Sequence, residues 1–242
     1  MFESRRIANV GKKRLRVAAL LLVFFALMSV AAGLVLESSR GRAFFNYLAL
    51  FLFLLSAGLV AATYIRKSTW AIGAEGEEIV ERILGQLNRS YRVVHDVVLP
   101  RTRGNIDHVV LGPNGVFIIE TKNHNGAIIC DGDIWEQRKI GRRGTPYLGR
   151  IGCPSRQVKG RAALLNNFFK ERLNMNLYVN AIVVFTNPEA SLSISNPTVT
   201  VLRPDQLAGF LMYCDSKNLL RNETISKIEQ ALAPYSQFHM GS

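Results

Sequence analysis

The segment GNIDHVVLGPNGVFIIETK (residues 104–122) carries Asp107, Glu120 and Lys122 on two apolar runs separated by Pro113, Asn114 and Gly115. A tight turn about Pro113 and Asn114 pairs the runs as a β-hairpin and sets Asp107 opposite Glu120, within one residue if Gly115 forms a bulge. Period-two alternation then puts Lys122 beside Glu120 and sends the Thr121 side chain to the other face. Two carboxylates and an ammonium converging at one point suit metal-assisted phosphodiester hydrolysis, because oxygen ligands take a hard cation that polarises a phosphate and acidifies a water. In that chemistry Asp107 and Glu120 are the ligands of Mg²⁺ or Mn²⁺, and the backbone carbonyl of Thr121 could add a third oxygen. Lys122 would orient or deprotonate the water, or neutralise charge on the phosphorane. The competing explanation is a salt-bridged strand pair between Glu120 and Lys122, worth about 0.2–1 kcal/mol. Against it stand Val109, Val110, Val116, Phe117, Ile118 and Ile119, which predict two largely buried strands where charges seldom sit without a task or a partner.

Several elements must position that hairpin. Residues 73–87 have Ile79, Val80, Ile83, Leu84 and Leu87 at helical spacing, with Glu75, Glu77 and Glu78 in the first turns where a helix dipole favours acids. Residues 91–99 read as a strand and 127–130 as a further short one. Pro154 opens a helix running to about Leu173 with Val158, Ala162, Leu165, Phe168 and Phe169 on its buried face. The apolar run VNAIVVFT (residues 179–186) predicts a central buried strand, 198–202 another strand, and 205–213 and 223–232 two closing helices. This order predicts an α/β domain over residues 73–233 with a mixed sheet flanked by helices. Residues 132–152 break regularity, with five glycines among Arg138, Lys139, Arg142, Arg143 and Arg150, and read as a long basic loop. Arg138, Lys139, Arg142 and Arg143 are the nucleic-acid contact candidates, since a flexible arginine-rich loop can follow a phosphate backbone. Trp135 is a base-stacking candidate whose plainer role is core packing. His108, pointing away from Asp107 on a regular strand, is expected to be packed rather than a ligand, and His124, on the parity of Lys122, is an outlying candidate for substrate contact.

The stretches GAEGEEIVERIL (residues 73–84), GNIDHVVLGPNGVFIIETKNHNGAI (104–128), Trp135 and CPSRQVKGRAALL (153–165) resemble the nuclease-related domain, NERD, within the broad PD-(D/E)xK nuclease-like group. The resemblance covers about residues 73–186. It implies a restriction-endonuclease-like core, a divalent metal, and site positions at Glu77, Asp107, Glu120, Lys122 and Gln157. Glu78 is the neighbouring alternative to Glu77. The chain departs from the pattern at Ile106, which takes the place of the broad group's proline, at Cys153, where Asn is expected, and at Arg161, where His is frequent.

The rest of the chain predicts an anchor. Residues 17–36 contain no charge and residues 43–65 contain only Asn46 as a strongly polar member, each run long enough to cross a hydrocarbon layer of about 30 Å. Six basic residues precede the first run within a basic segment 1–16, two lie between the runs, and Arg66 and Lys67 follow the second. By the positive-inside rule both termini and the soluble domain face the cytoplasm, making a multi-pass protein of the inner or plasma membrane. The formal net charge is +12, of which residues 1–65 supply half through eight basic and two acidic side chains. The remaining excess suits a polyanion without specifying one. Cys130, Cys153 and Cys214 share no metal or disulfide spacing, which fits a reducing compartment. The sequence thus predicts a membrane-anchored, metal-dependent nuclease acting on DNA or RNA. A catalytically silent nuclease-like module that binds nucleic acid or protein at the membrane is the alternative, and a structural membrane adaptor a third reading.

Overall fold

The computed structural model describes Phe24 and residues 39–100, 102, 104–141, 143–215 and 219–236; side chains at 39–42, 45, 49, 52, 56 and 59–72 are outside the description. The chain divides into two compact units, residues 1–74 and 75–242.

In the first unit a long helix begins, α1 (Ser39–Leu84). Phe44, Tyr47, Leu48, Leu50, Phe51, Phe53, Leu54 and Leu55 are all exposed on it. At 100° per residue these positions cover an arc of about 220°, wider than one amphipathic stripe. Among the described residues no helix is long and apolar enough to cross a membrane. Of the two expected spans, 17–36 lies outside the described residues apart from Phe24, and 43–65 lies on α1 with many side chains undescribed. The transmembrane hairpin therefore has no support from the described residues.

The second unit is α/β and holds two mixed sheets rather than the single sheet expected. Its strands are β1 (Arg92–Val97), β2 (Ile106–Gly112), β3 (Gly115–Lys122), β4 (Gly126–Asp131), β5 (Ile134–Ile140), β6 (Pro146–Leu148), β7 (Val179–Phe185), β8 (Ala190–Ser195) and β9 (Thr200–Leu202). The first sheet has the order β1-β2-β3-β7-β9, and the second β6-β5-β4-β8. The β1, β2 and β3 neighbours are antiparallel, whereas β3, β7 and β9 run parallel. Helices α2 (Pro154–Leu173), α3 (Pro204–Tyr213) and α4 (Asn222–Leu232) complete the unit.

The predicted basic loop is a correction. Residues 134–140 and 146–148 are paired strands, and only their connection is a turn, closed by the Gly141 N–H bonded to the Thr145 carbonyl at 2.9 Å. Glycine and arginine density suggested irregularity, but β5 alternates: Ile134, Arg138 and Ile140 point to solvent while Gln137 is buried. Gln137 donates to the Asn125 carbonyl at 2.8 Å, so a polar residue anchors the strand that an apolar one would have advertised.

Both faces of the first sheet are covered, as parallel strands require. On one face, Val109, Leu111, Val116, Ile118, Val183 and Phe185 pack with Val158, Leu165 and Phe169 of α2 and with Ile225 and Ile228 of α4. On the other, Val110, Phe117, Ile119, Ile182 and Val184 pack with Val80 and Leu84 of α1 and with Leu207 and Leu211 of α3. Each large side chain buried this way contributes about 1.5–3 kcal/mol relative to exposure, enough in sum to hold costly charges among them.

Candidate active site

The β2–β3 turn sets the site's register. Gly112 pairs with Gly115, and the ladder continues to His108 opposite Ile119, so the next step places Asp107 beside Glu120 without a bulge. Gly115 has φ 133°, a conformation that a side chain would strain, which explains its place after Pro113 and Asn114. Asp107 and Glu120 lie on the α2 face and are only 7% and 2% exposed.

Their oxygens are fully engaged. The Thr121 N–H donates to Asp107 Oδ2 at 2.9 Å. Lys122 Nζ donates to Glu120 Oε1 at 2.5 Å and to Gln157 Oε1 at 3.1 Å. Arg161 Nη1 donates to Asp107 Oδ1 at 3.3 Å and also to Glu120 Oε2. Asp107, Glu120, Lys122 and Gln157, all expected from the sequence, are thus brought together. Within a regular strand the N–H and C=O of one residue point to the same side. The Thr121 carbonyl accordingly projects toward β2 and Asp107, whereas the Lys122 carbonyl points the other way and accepts from Thr186 N at 3.0 Å.

Burial raises the Asp107 carboxyl above its ordinary range, opposed by Arg161, the Thr121 N–H and Lys122. Burial also draws the Lys122 ammonium below the usual lysine range, opposed by the nearby charges of Asp107 and Glu77. Glu77 therefore acts on Lys122 electrostatically from α1. Its approach depends on Gly76, where an added Cβ would lie 2.7 Å from Thr186 Oγ1 and 2.9 Å from Asn123 Cβ. Glu78, the alternative to Glu77, is exposed and 3.7 Å from Arg82.

Arg161 is the site residue that motif reading left without a role. It lies four positions after Gln157 on α2, so the two share a helix face, and this spacing was the available signal. A second neighbour also went unread. Asp96, level with Asp107 on β1, holds left-handed backbone at φ 51° and accepts a hydrogen bond from Asn105 Nδ2 at 2.7 Å.

The nucleic-acid candidates fare differently. Arg138 and Lys139 are on β5, Arg143 is exposed in the turn, and Arg142 lies outside the described residues. Arg138 is paired with Glu136. Lys139 lies closer to the site, since its charge and that of Lys122 both help hold the His124 imidazole below its ordinary pKa, behind the larger effect of burial. Trp135 is a core residue: it stacks on Phe185 at 5.7 Å and donates from Nε1 to Ser155 Oγ at 2.9 Å.

The donor set fits a small divalent cation. Two carboxylates face one point, and the guanidinium of Arg161 lies between them as the balancing charge. Among the described residues no buried side-chain nitrogen or oxygen lacks a partner, so a metal would bind by displacing Arg161 from at least one carboxylate.

The fold and site define an α/β domain with a buried carboxylate pair and a lysine at its centre. Residues 72–186 match the family model of the nuclease-related domain. An uncharacterised protein of Bacillus anthracis is 43% identical over 60 residues, covering 23% of this chain and 28% of that protein. The chain thus matches little more than a quarter of that relative's length. No solved structure is significantly similar.

Proposed function

We propose that the protein is a membrane-anchored, metal-dependent nuclease that hydrolyses phosphodiester bonds of DNA or RNA in the cytoplasm. The observation that carries this reading is the convergence of Asp107, Glu120 and Lys122 at one buried point inside a nuclease-related domain. The hairpin bearing these residues, in a mixed sheet covered by helices on both faces, supports a restriction-endonuclease-like core.

In this reading Asp107, Glu120 and the Thr121 carbonyl would hold Mg²⁺ or Mn²⁺, which would polarise the phosphate and lower the pKa of a water. Arg161 releases the carboxylates and is left to pair with a phosphate oxygen, for which its guanidinium is suited. Lys122, held by Glu120 and Gln157 and with its proton affinity lowered by burial, orients the water and takes its proton at Nζ. Glu77 balances the lysine's charge from α1. Lys139 and Arg143 lead the substrate backbone away from the centre, a role that phosphate contacts fill without sequence selectivity. The anchor rests on the apolar runs at 17–36 and 43–65 and on their basic flanks.

The test is cleavage of single- and double-stranded DNA and RNA by the purified chain with Mg²⁺, with Mn²⁺ and with EDTA. Cutting that needs metal and is lost in Asp107→Asn is expected; its absence on all four substrates would overturn the enzymatic reading. A second reading is favoured by Arg161, whose cation already neutralises the carboxylate pair: a nuclease-like module that binds nucleic acid or protein without cutting it. Salt-sensitive nucleic-acid binding without cleavage would select it.

A further inference from the structure

On the face of β2 opposite Asp107, three potential metal ligands from three elements meet. Glu81 comes from the last turns of α1, His95 from β1 and His108 from β2, and one ligand atom of each lies within 4.8 Å of the others. The two strand residues are direct cross-strand partners. Their Nδ1 atoms are 2.8 Å apart and their rings stand nearly perpendicular, at 86° with centroids 5.0 Å apart. One Nδ1 therefore donates to the other. Both rings thus turn the same nitrogen toward a shared point, and Glu81 lies beside that point.

We propose that Glu81, His95 and His108 form a second metal site, for a divalent transition-metal ion of the Zn²⁺ type, separate from the carboxylate pair across the sheet. Two imidazole nitrogens and one carboxylate oxygen are the donor set that zinc takes with one position left open. They are a poor set for Mg²⁺, which prefers oxygen and keeps its waters. Zinc–nitrogen bonds of about 2.0–2.1 Å in a tetrahedron would put the two nitrogens about 3.3 Å apart, so the rings must part by about half an ångström and turn so that both nitrogens face the ion. The ion replaces the proton that the two Nδ1 atoms now share, and His95 carries its own proton on Nε2 instead. His108 is oriented for this from behind, because its Nε2 is 3.4 Å from Thr121 Oγ1 and can donate to it. Such an outer partner fixes the tautomer that leaves Nδ1 free to ligate. His108 is buried, whereas Glu81 and His95 are half-buried, which leaves the ion a path from solvent.

The sites are back to back. Asp107 and His108 are adjacent in sequence, and Thr121 touches both, through its N–H to Asp107 and its hydroxyl to His108.

The test uses Co²⁺ as a coloured probe for the full-length protein in detergent, with Mg²⁺ in large excess so that the oxygen-preferring ion occupies the carboxylate pair. One equivalent of Co²⁺ is expected to produce the visible absorption of a nitrogen-ligated, low-coordinate ion, and Zn²⁺ to bleach it. Introducing His95→Gln, with folding confirmed by circular dichroism, should abolish the band. Introducing Thr121→Val instead should weaken binding by roughly 10–100-fold, the usual cost of losing an outer-sphere partner. If His95→Gln does not fold, Glu81→Gln, on a half-buried helical position, replaces it and must weaken Co²⁺ binding at least tenfold. No band at one equivalent, or a band unchanged by the folded His95→Gln or Glu81→Gln variant, would overturn the proposal.

Discussion

Arg161 decides how the carboxylate pair behaves when no metal is bound. Its side chain is 18% exposed and contacts both Asp107 and Glu120, so removing it leaves two buried carboxylates facing each other. Breaking a buried ion pair on one side typically costs about 3–5 kcal/mol. Arg161→Ala should therefore lower the stability of the metal-free protein by that order, as read by chemical denaturation. It should also bind Mn²⁺ more tightly, on the order of tenfold or about 1.4 kcal/mol, in calorimetric titration, because no guanidinium has to be displaced. Looser binding in the variant would mean that Arg161 assists the metal instead of competing with it. Lys122 makes a separate prediction. Its folded pKa lies below the ordinary 10.5, with burial as the leading cause. The unfolded chain therefore holds the proton to higher pH than the folded one, so the contribution of Lys122 to stability rises with pH through the window below 10.5 and is lost as pH falls through the folded value. If the neutral amine takes the water's proton, the cleavage rate should rise with pH in that same window. Lys122→Met should be slower by about 10²–10⁴-fold and lack that limb of the pH–rate profile.

At the level of elements, the site depends on how closely α1 crosses the ends of β3 and β7. Gly76 permits that approach, with Thr186 and Asn123 inside the space a side chain would take. Gly76→Val should cost about 1–3 kcal/mol by overpacking, and should lower kcat more than the stability loss alone would suggest because Glu77 is pushed away from Lys122. Gly85→Ala is the control, since its Cβ would meet nothing nearer than 3.4 Å. Thermal unfolding and cleavage kinetics of both variants check this. Local pattern was enough for the β2–β3 hairpin, because turn chemistry and apolar alternation agree there. The same reasoning reached α2, β7 and the two closing helices to within one residue or so at their starts. It failed for β5 and β6, which pair with each other in a stretch rich in glycine and arginine, and for β8, which pairs with β4. β8 alternates Ala190, Leu192 and Ile194 with Ser191, Ser193 and Ser195, but its partner is β4 in a parallel pairing that no local turn announces.

For the molecule as a whole, the proposed anchor predicts where the domain works. It places the apolar side chains of α1 between Phe44 and Leu55 among lipid tails rather than in water. The expressed full chain should sediment with membranes and be released by detergent but not by alkaline carbonate. A chain lacking residues 1–65 should remain in the soluble fraction. Carbonate release of the full chain would contradict the anchor, and protection of the domain from protease in inside-out vesicles would contradict a cytoplasmic position.

The sequence by itself determined the hairpin, to within one residue of its register, and the convergence of Asp107, Glu120 and Lys122, because both follow from periodicities that span only a few residues. Gln157 was reached through the resemblance to the nuclease-related domain. Only the tertiary structure decided that Arg161 neutralises the carboxylates, that Glu77 rather than Glu78 acts on Lys122, and that His95 and His108 share one point with Glu81. Those outcomes depend on the distance and rotation between a helix and a sheet, which are set by packing of side chains far apart in the chain and leave no periodic trace along it.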